Sequence, residues 1–253
     1  MPKGRVDTKK RINVLMDVWN KIIEVWEESG GTLTRGDVVK ILKDAYDRES
    51  IRPLKGIANP ADLYDKELSS LYVVGKYGMG LDEQYPELFD KIFHEEVKFE
   101  SVINIILKEP LDKAVEKVKV ILGDVSDNTL ARILRLKMTE VFFGFTGRED
   151  FVNLVRILSK AFPSKAKTIE NYTRFYIAFK VAEAIARGEV KDRISKEALK
   201  HAMALELGLS DKRKLPDDSY ISRIAEEVFG VPRRSLSEIL SVTSRPKTKP
   251  KTT

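Results

Sequence analysis

The sequence predicts an all-α protein, and three observations carry that prediction. Apolar residues recur at three- and four-residue spacing along most of the chain. No segment alternates apolar and polar residues as a half-buried strand would. Helix start and stop signals divide the chain at short intervals. The order of these signals also occurs twice. An N-terminal helix pattern leads to Leu33-Thr34-Arg35, a second helix and Pro60-Ala61-Asp62-Leu63-Tyr64. A C-terminal one leads to Ile194-Ser195-Lys196, a second helix and Pro216-Asp217-Asp218-Ser219-Tyr220. The expected architecture is two similar three-helix units joined by a helical middle section. Two unrelated helical hairpins built under the same rules are the alternative, because any two amphipathic helices align at some multiple of a turn.

The elements follow in order. Ile12, Leu15, Met16, Trp19, Ile22, Ile23 and Trp26 mark an amphipathic first helix, which Gly30-Gly31 stops. Thr34 with Asp37 resembles a capping box for the second helix, whose face is Val38, Val39, Leu42, Ala45 and Tyr46. Pro53, Gly56 and Pro60 make an irregular connection. A third helix is expected over residues 61–76, ended by Gly75, Gly78 and Gly80. One or two helices span 86–107. Pro110 opens the next at its first position, and Leu111, Val115, Val118 and Leu122 form its stripe before Gly123. Ser126 or Asp127 caps a helix over 128–143, and Thr146 with Glu149 forms a capping box for one over 150–162. Pro163-Ser164-Lys165 reads as a linker.

The C-terminal unit opens with Tyr172, Phe175, Tyr176, Phe179, Ala182, Ile185 and Ala186. Six of these seven fall on first-helix positions after a shift of 160 residues. Ser195 is expected to cap the second helix of this unit and Gly208 to end it. Pro216 opens the third, Gly230 closes it, and Pro232 begins a last helix to about Leu240. The organisation predicted is a basic arm (1–11), an N-terminal unit (12–100), a middle section (101–165), a C-terminal unit (166–241) and a disordered basic tail (242–253).

The run Tyr172-Thr173-Arg174-Phe175-Tyr176-Ile177-Ala178-Phe179-Lys180, with Ile194-Ser195-Lys196 and Pro216-Asp217-Asp218, resembles an archaeal family of uncharacterised proteins carrying a domain of unknown function. The likeness extends over most of the chain. It implies an archaeal source and brings neither an activity nor functional residues to transfer.

Composition narrows the function classes. At 253 residues the chain is long enough for one large domain or two small ones. It has no Cys, which excludes disulfides, thiolate metal sites and a cysteine nucleophile. Gln84 is the only glutamine, while a third of the residues are charged, as expected of a thermophile. No apolar run has the length of a membrane span, and the first residues lack a signal-peptide core, so a cytoplasmic protein without a membrane role is expected. The net charge of +6 is unevenly spread: residues 12–109 hold 12 basic and 19 acidic side chains, and residues 110–240 hold 24 and 19. The arm and tail add the rest. A basic second half beside an acidic first half keeps nucleic acid open as a partner and argues against a chain coated by it.

Few residue constellations carry chemistry. His94-Glu95-Glu96-Val97-Lys98 begins like a zinc-protease helix but has Lys98 where the second histidine must stand, so no metal site is predicted and His94 is expected on a helix surface. Asp217-Asp218 could hold magnesium, although at a helix start carboxylates serve as caps and dipole partners. Gly75-Lys76-Tyr77-Gly78-Met79-Gly80 has the glycine density of a nucleotide loop without its spacing or its strand. Gly144-Phe145-Thr146-Gly147 with Arg148 could present amides and charge to phosphate, or simply connect two helices tightly. Residues 220–240 resemble a helix-turn-helix with Arg223 in its first helix and Arg233, Arg234 and Ser235 opening its second. The gap between Ala225 and Gly230 is one residue longer than usual in such motifs, and a plain helical hairpin is the alternative. Lys212-Arg213-Lys214 is a basic loop suited to phosphate contacts.

Together these features predict a non-catalytic, cofactor-free protein that binds DNA, RNA or a ribonucleoprotein through its basic second half. The competing expectation is a protein-interaction scaffold built on tandem helical units.

Overall fold

The computed structural model describes residues 8–51, 63–209, 215–232, 236 and 239. They form eleven α-helices and no strand: α1 (Thr8–Glu28), α2 (Arg35–Arg48), α3 (Leu63–Val73), α4 (Leu81–Gln84), α5 (Pro86–Leu107), α6 (Leu111–Leu122), α7 (Asp127–Phe143), α8 (Arg148–Ala161), α9 (Ala166–Ala186), α10 (Arg193–Glu206) and α11 (Asp218–Phe229). Helices α1, α2 and α3 pack on one another, and α9 packs on α10 and α11. Helix α7 touches both groups, through α3 on one side and α9 on the other, and also meets α5 and α8. It is buried around most of its circumference, the pattern of a central helix. The buried apolar residues form one continuous cluster from Val14 to Leu236.

The core of the N-terminal helices is built on Trp19. Its indole is fully buried, stacks on Phe89 at 5.2 Å, tilts against Phe93, and donates its N–H to the Leu71 carbonyl at 2.7 Å. Gly75, expected to help stop the third helix, lies instead inside a π-turn (Val74–Gly78) that continues α3. A Cβ there would sit 2.4 Å from Trp19 Cε2, so the glycine is needed for the indole to approach. Buried Arg11 reaches Tyr46 at 3.2 Å and Glu67 at 3.4 Å, which ties α1 to α2 and α3. For that reason α1 begins at Thr8, within the stretch expected to be an arm; residues 1–7 and the tail 242–253 lie outside the described residues.

Two helix starts are capped where the sequence places them. Thr34 and Asp37 form the reciprocal box of α2, and Ser126 accepts the Thr129 amide at 3.1 Å. Three starts are corrected. Pro110 is the residue before α6 rather than its first. Helix α10 is capped by Asp192, whose carboxylate accepts the Ser195 amide at 2.8 Å, while the Ser195 hydroxyl at the third helical position accepts the Asp192 amide in return, so Ser195 is the second member of the box rather than the cap. Helix α8 starts after Gly147, with no side-chain cap, so Thr146 is not its cap. Residues 86–107 are one helix kinked at Phe93 (φ −118°, ψ 22°). Pro163–Lys165 forms a single 3₁₀ turn leading straight into α9. The repeated P-x-D-x-Y signal is described only in its second copy, since residues 60–62 lie outside the described residues.

Candidate functional site

Two glycine-rich segments that the sequence presents separately meet in space. The π-turn carrying Lys76 and Tyr77 faces the Gly144–Gly147 connection: the Tyr77 and Phe145 rings stack at 5.7 Å, and a Cβ on Gly78 would lie 3.5 Å from the Phe145 ring. Turns of this π type are often placed at functional positions. Beneath them Glu100 of α5 accepts from Tyr72 Oη at 2.5 Å, from Lys76 Nζ at 2.6 Å and from Tyr77 Oη. Burial and the Glu100 contact push both phenols well above their ordinary range.

A second buried pair lies close by. Glu140 of α7 is fully buried and paired with Lys137 at 2.7 Å, and Lys137 also reaches Asp150 at 3.6 Å. Burial raises the Glu140 carboxyl, with Lys137 acting in the opposite direction. One oxygen of Glu140 has no hydrogen-bond partner. Glu100 and Glu140 are thus each matched by a lysine. Among the described residues no three His, Asp or Glu side chains converge as metal ligands. Sequence reasoning missed this cluster. Its signal was available: Glu96 and Glu100 occupy positions on the apolar face of α5 among Ile92, Phe93, Phe99 and Ile103.

The Gly144–Gly147 turn presents its predicted residues as follows. Gly144 closes α7 in the left-handed region (φ 79°), Gly147 precedes α8, and both are exposed. Arg148 is exposed and pairs at 3.6 Å with Glu149 and with Glu206. The Glu149 carboxylate folds back so that a Cβ on Gly147 would lie 2.7 Å from it. An acidic group therefore already occupies the region where an incoming phosphate would approach the amides of α8.

Elsewhere α9 and α11 bring basic and aromatic groups together. The exposed Arg223 guanidinium lies 5.1 Å over the Tyr220 ring. Arg174 of α9 approaches Tyr220 and Asp217 closely enough to shift both, and its buried Nε has no hydrogen-bond partner. Burial pushes the Tyr220 phenol up to about 12, against the pull of Arg223 and Arg174.

The neighbouring carboxylates are engaged within the fold. Asp217 caps α11, accepting from Ser219 Oγ at 2.6 Å and the Tyr220 amide at 2.8 Å, and these bonds hold its carboxyl below the usual range. Asp218 forms an ion pair with the fully buried Lys196 at 2.7 Å and lies 3.7 Å from Lys200. Capping and ion pairing therefore account for the Asp217-Asp218 pair. Of the predicted basic residues, Lys212, Arg213, Lys214, Arg233, Arg234 and Ser235 lie outside the described residues. Leu236 beyond them is helical and buried. His94 is exposed on α5. No helix among the described residues is long and apolar enough to cross a membrane.

With the fold and these sites in place, the comparisons with known proteins identify the family. The chain belongs to a family of uncharacterized proteins conserved in archaea (DUF2192), which matches residues 5–240. No curated protein and no solved structure matches it significantly.

Proposed function

We propose that this protein binds nucleic acid, or a ribonucleoprotein, without catalysis and through its α9–α11 end. The observation that supports this reading most is the Arg223–Tyr220–Arg174 group. A guanidinium over an aromatic ring offers phosphate a charge-assisted donor and offers an unstacked base a planar surface. Tyr220 and Arg223 lie between two basic stretches of sequence, Lys212-Arg213-Lys214 before α11 and Arg233-Arg234 after it. The adjacent carboxylates do not oppose an anion strongly, since Asp218 is neutralised by buried lysines and Asp217 is spent on its cap. The Gly144–Gly147 turn, with Glu149 folded over it, contributes less to this reading.

Fluorescence-anisotropy titrations with single-stranded RNA, single-stranded DNA and duplex DNA over a salt series test it. The expected result is binding in the range of about 10⁻⁴–10⁻⁶ M that weakens steeply with salt. Replacing Arg223 by Ala should lower the salt slope by about one phosphate contact. Absence of binding at low salt would refute the proposal. Equal affinity in a protein carrying Arg223→Ala, Arg233→Ala and Arg234→Ala would do so as well.

A protein-interaction role is the second reading, and the observation favouring it is the pair of exposed aliphatic side chains Ile194 and Leu205 on α10.

A further inference from the structure

The partly buried arginines of this fold are mostly engaged within it. Arg35 and Arg132 pair with Glu96, and Arg135 donates to the Tyr172 hydroxyl at 3.0 Å. Arg174 on α9 is also partly buried, but its Nε is withdrawn from solvent and has no hydrogen-bond partner among the described residues. A charged donor left in that state carries a desolvation cost that the fold does not recover. Asp217 and Tyr220 lie close enough to feel the Arg174 charge, yet the Asp217 carboxylate is taken up by the Ser219 hydroxyl and the Tyr220 amide. On the same tyrosine, the exposed Arg223 guanidinium lies 5.1 Å over the ring.

We infer that this group is a site for one unpaired nucleotide, with Arg174 taking a phosphate and the Arg223–Tyr220 pair taking the face of the attached base. The inference rests on the nucleic-acid reading above and narrows it to single strands. A guanidinium in a partly dry recess matches phosphate oxygens with two parallel N–H donors, and its charge is less screened there than in water. Arg223 has the Tyr220 ring on one side and is open on the other. That leaves a planar cation on which a base can stack, with donors at its edge for a neighbouring phosphate.

Both arginines act around one residue, Tyr220, so their contacts fall within the span of a single nucleotide. This excludes a duplex. In a double helix each base is stacked above and below and shows only its edges in the grooves. A protein group holding a backbone phosphate therefore cannot also lie on the face of the base attached to it. An unpaired nucleotide presents both at once.

Anisotropy titrations of the full-length protein at low salt test this, using a labelled strand of about 12 nucleotides, the same strand annealed to its complement, and a strand of equal length with abasic sites throughout. The single strand should bind at least about fivefold tighter than either of the others, the lower bound for one stacked base. The abasic strand should keep the salt slope of the intact one, since its phosphates remain. Arg174→Ala should weaken single-strand binding and reduce its salt slope by about 0.7, while duplex binding stays unchanged. Arg174→Lys should restore the slope but not the full affinity, because the charge returns without the fork. Circular dichroism confirms that the variants fold, and the abasic comparison needs no variant. Equal affinity for strand and duplex, equal affinity for the abasic strand, or indifference to Arg174→Ala would each overturn the inference and leave the nucleic-acid reading standing. Absence of binding to every probe would overturn that reading and the inference with it.

Discussion

Replacing Gly75 by alanine sets two opposing effects against each other, and the structure decides between them. In an ordinary exposed helix the change would stabilise by about 1 kcal/mol through helix propensity. At this position the added Cβ would lie 2.4–2.5 Å from Cε2, Cζ2 and Nε1 of Trp19. The indole has no space to yield: it is fully buried, stacked on Phe89, and held by its N–H to the Leu71 carbonyl. Overpacking of this kind costs about 1–3 kcal/mol. Pulling the indole N–H off its carbonyl leaves a buried donor unpaired and costs about 1–3 kcal/mol more. The net expectation is a destabilisation of roughly 3 kcal/mol, which for a chain of this size lowers the Tm by roughly 6–12 °C. Urea unfolding followed by tryptophan fluorescence and by circular dichroism measures it. Gly36→Ala supplies the control: the nearest atom to its Cβ would be Thr34 Oγ1 at 3.7 Å, so a neutral or slightly stabilising effect is expected. Gly75→Ala matching that control would refute the account of the π-turn as a seat for Trp19.

Three other expectations concern charge, its titration and capping. Lys137→Met leaves the fully buried Glu140 carboxylate with one partner fewer and should destabilise by about 3–5 kcal/mol, whereas Lys137→Met with Glu140→Gln should recover much of the loss. Burial raises the Glu140 carboxyl in the folded state, so the fold binds that proton more tightly than the unfolded chain does. Its contribution is therefore most favourable below the unfolded pKa and declines as pH rises through the folded one; urea midpoints at about pH 4 and about pH 7 should show Glu140→Gln gaining relative to the parent at the higher value. For α10, Asp192→Ala should cost about 1 kcal/mol and Ser195→Ala less, and chemical denaturation of the two variants distinguishes the true cap from its neighbour.

Helix existence was legible in the sequence because each long helix has one apolar stripe and short-range signals at its ends. Thr34, Ser126 and Gly230 act within three or four residues of themselves, and sequence displays interactions of that range directly. Most failures have the opposite character, the Ser195 cap being a local exception. Gly75 reads as a helix stop because its reason for being glycine, Trp19, is 56 positions away. Ser195 looks like a cap because hydroxyls commonly are, until Asp192 takes that position. The meeting of Tyr77 with Phe145 depends on how α3 and α7 pack, which no local pattern encodes. The α9–α11 group was half legible: Arg223 stood out, while Arg174 was hidden in the apolar face of a helix buried on most sides.

The buried charges explain how so highly charged a chain holds a single continuous core. Arg11 with Glu67 joins α1 to α3. Arg35 meets Glu96 at 3.1 Å and the Ile92 carbonyl at 2.9 Å, which joins α2 to α5 beside the Phe93 kink, and Arg132 at 3.3 Å brings α7 to the same Glu96. Lys76 with Glu100 joins the π-turn to α5, and Lys196 with Asp218 joins α10 to α11. Two of these links, α1 with α3 and α5 with α7, also span elements that pack directly on one another. Apolar contact alone tolerates sliding and rotation of one helix against another, while a buried ion pair is satisfied in one register and strongly penalised when either partner is left alone. The glutamates that interrupt apolar faces are for that reason informative positions: they mark where the helices are fastened to one another. Glu140 differs from the rest, since its lysine lies one turn away on the same helix and one of its oxygens has no hydrogen-bond partner. The exposed charges of the α9–α11 end lie outside this internal pairing scheme. Arg223 rests on the Tyr220 ring of its own helix, so its contact does not fasten one helix to another.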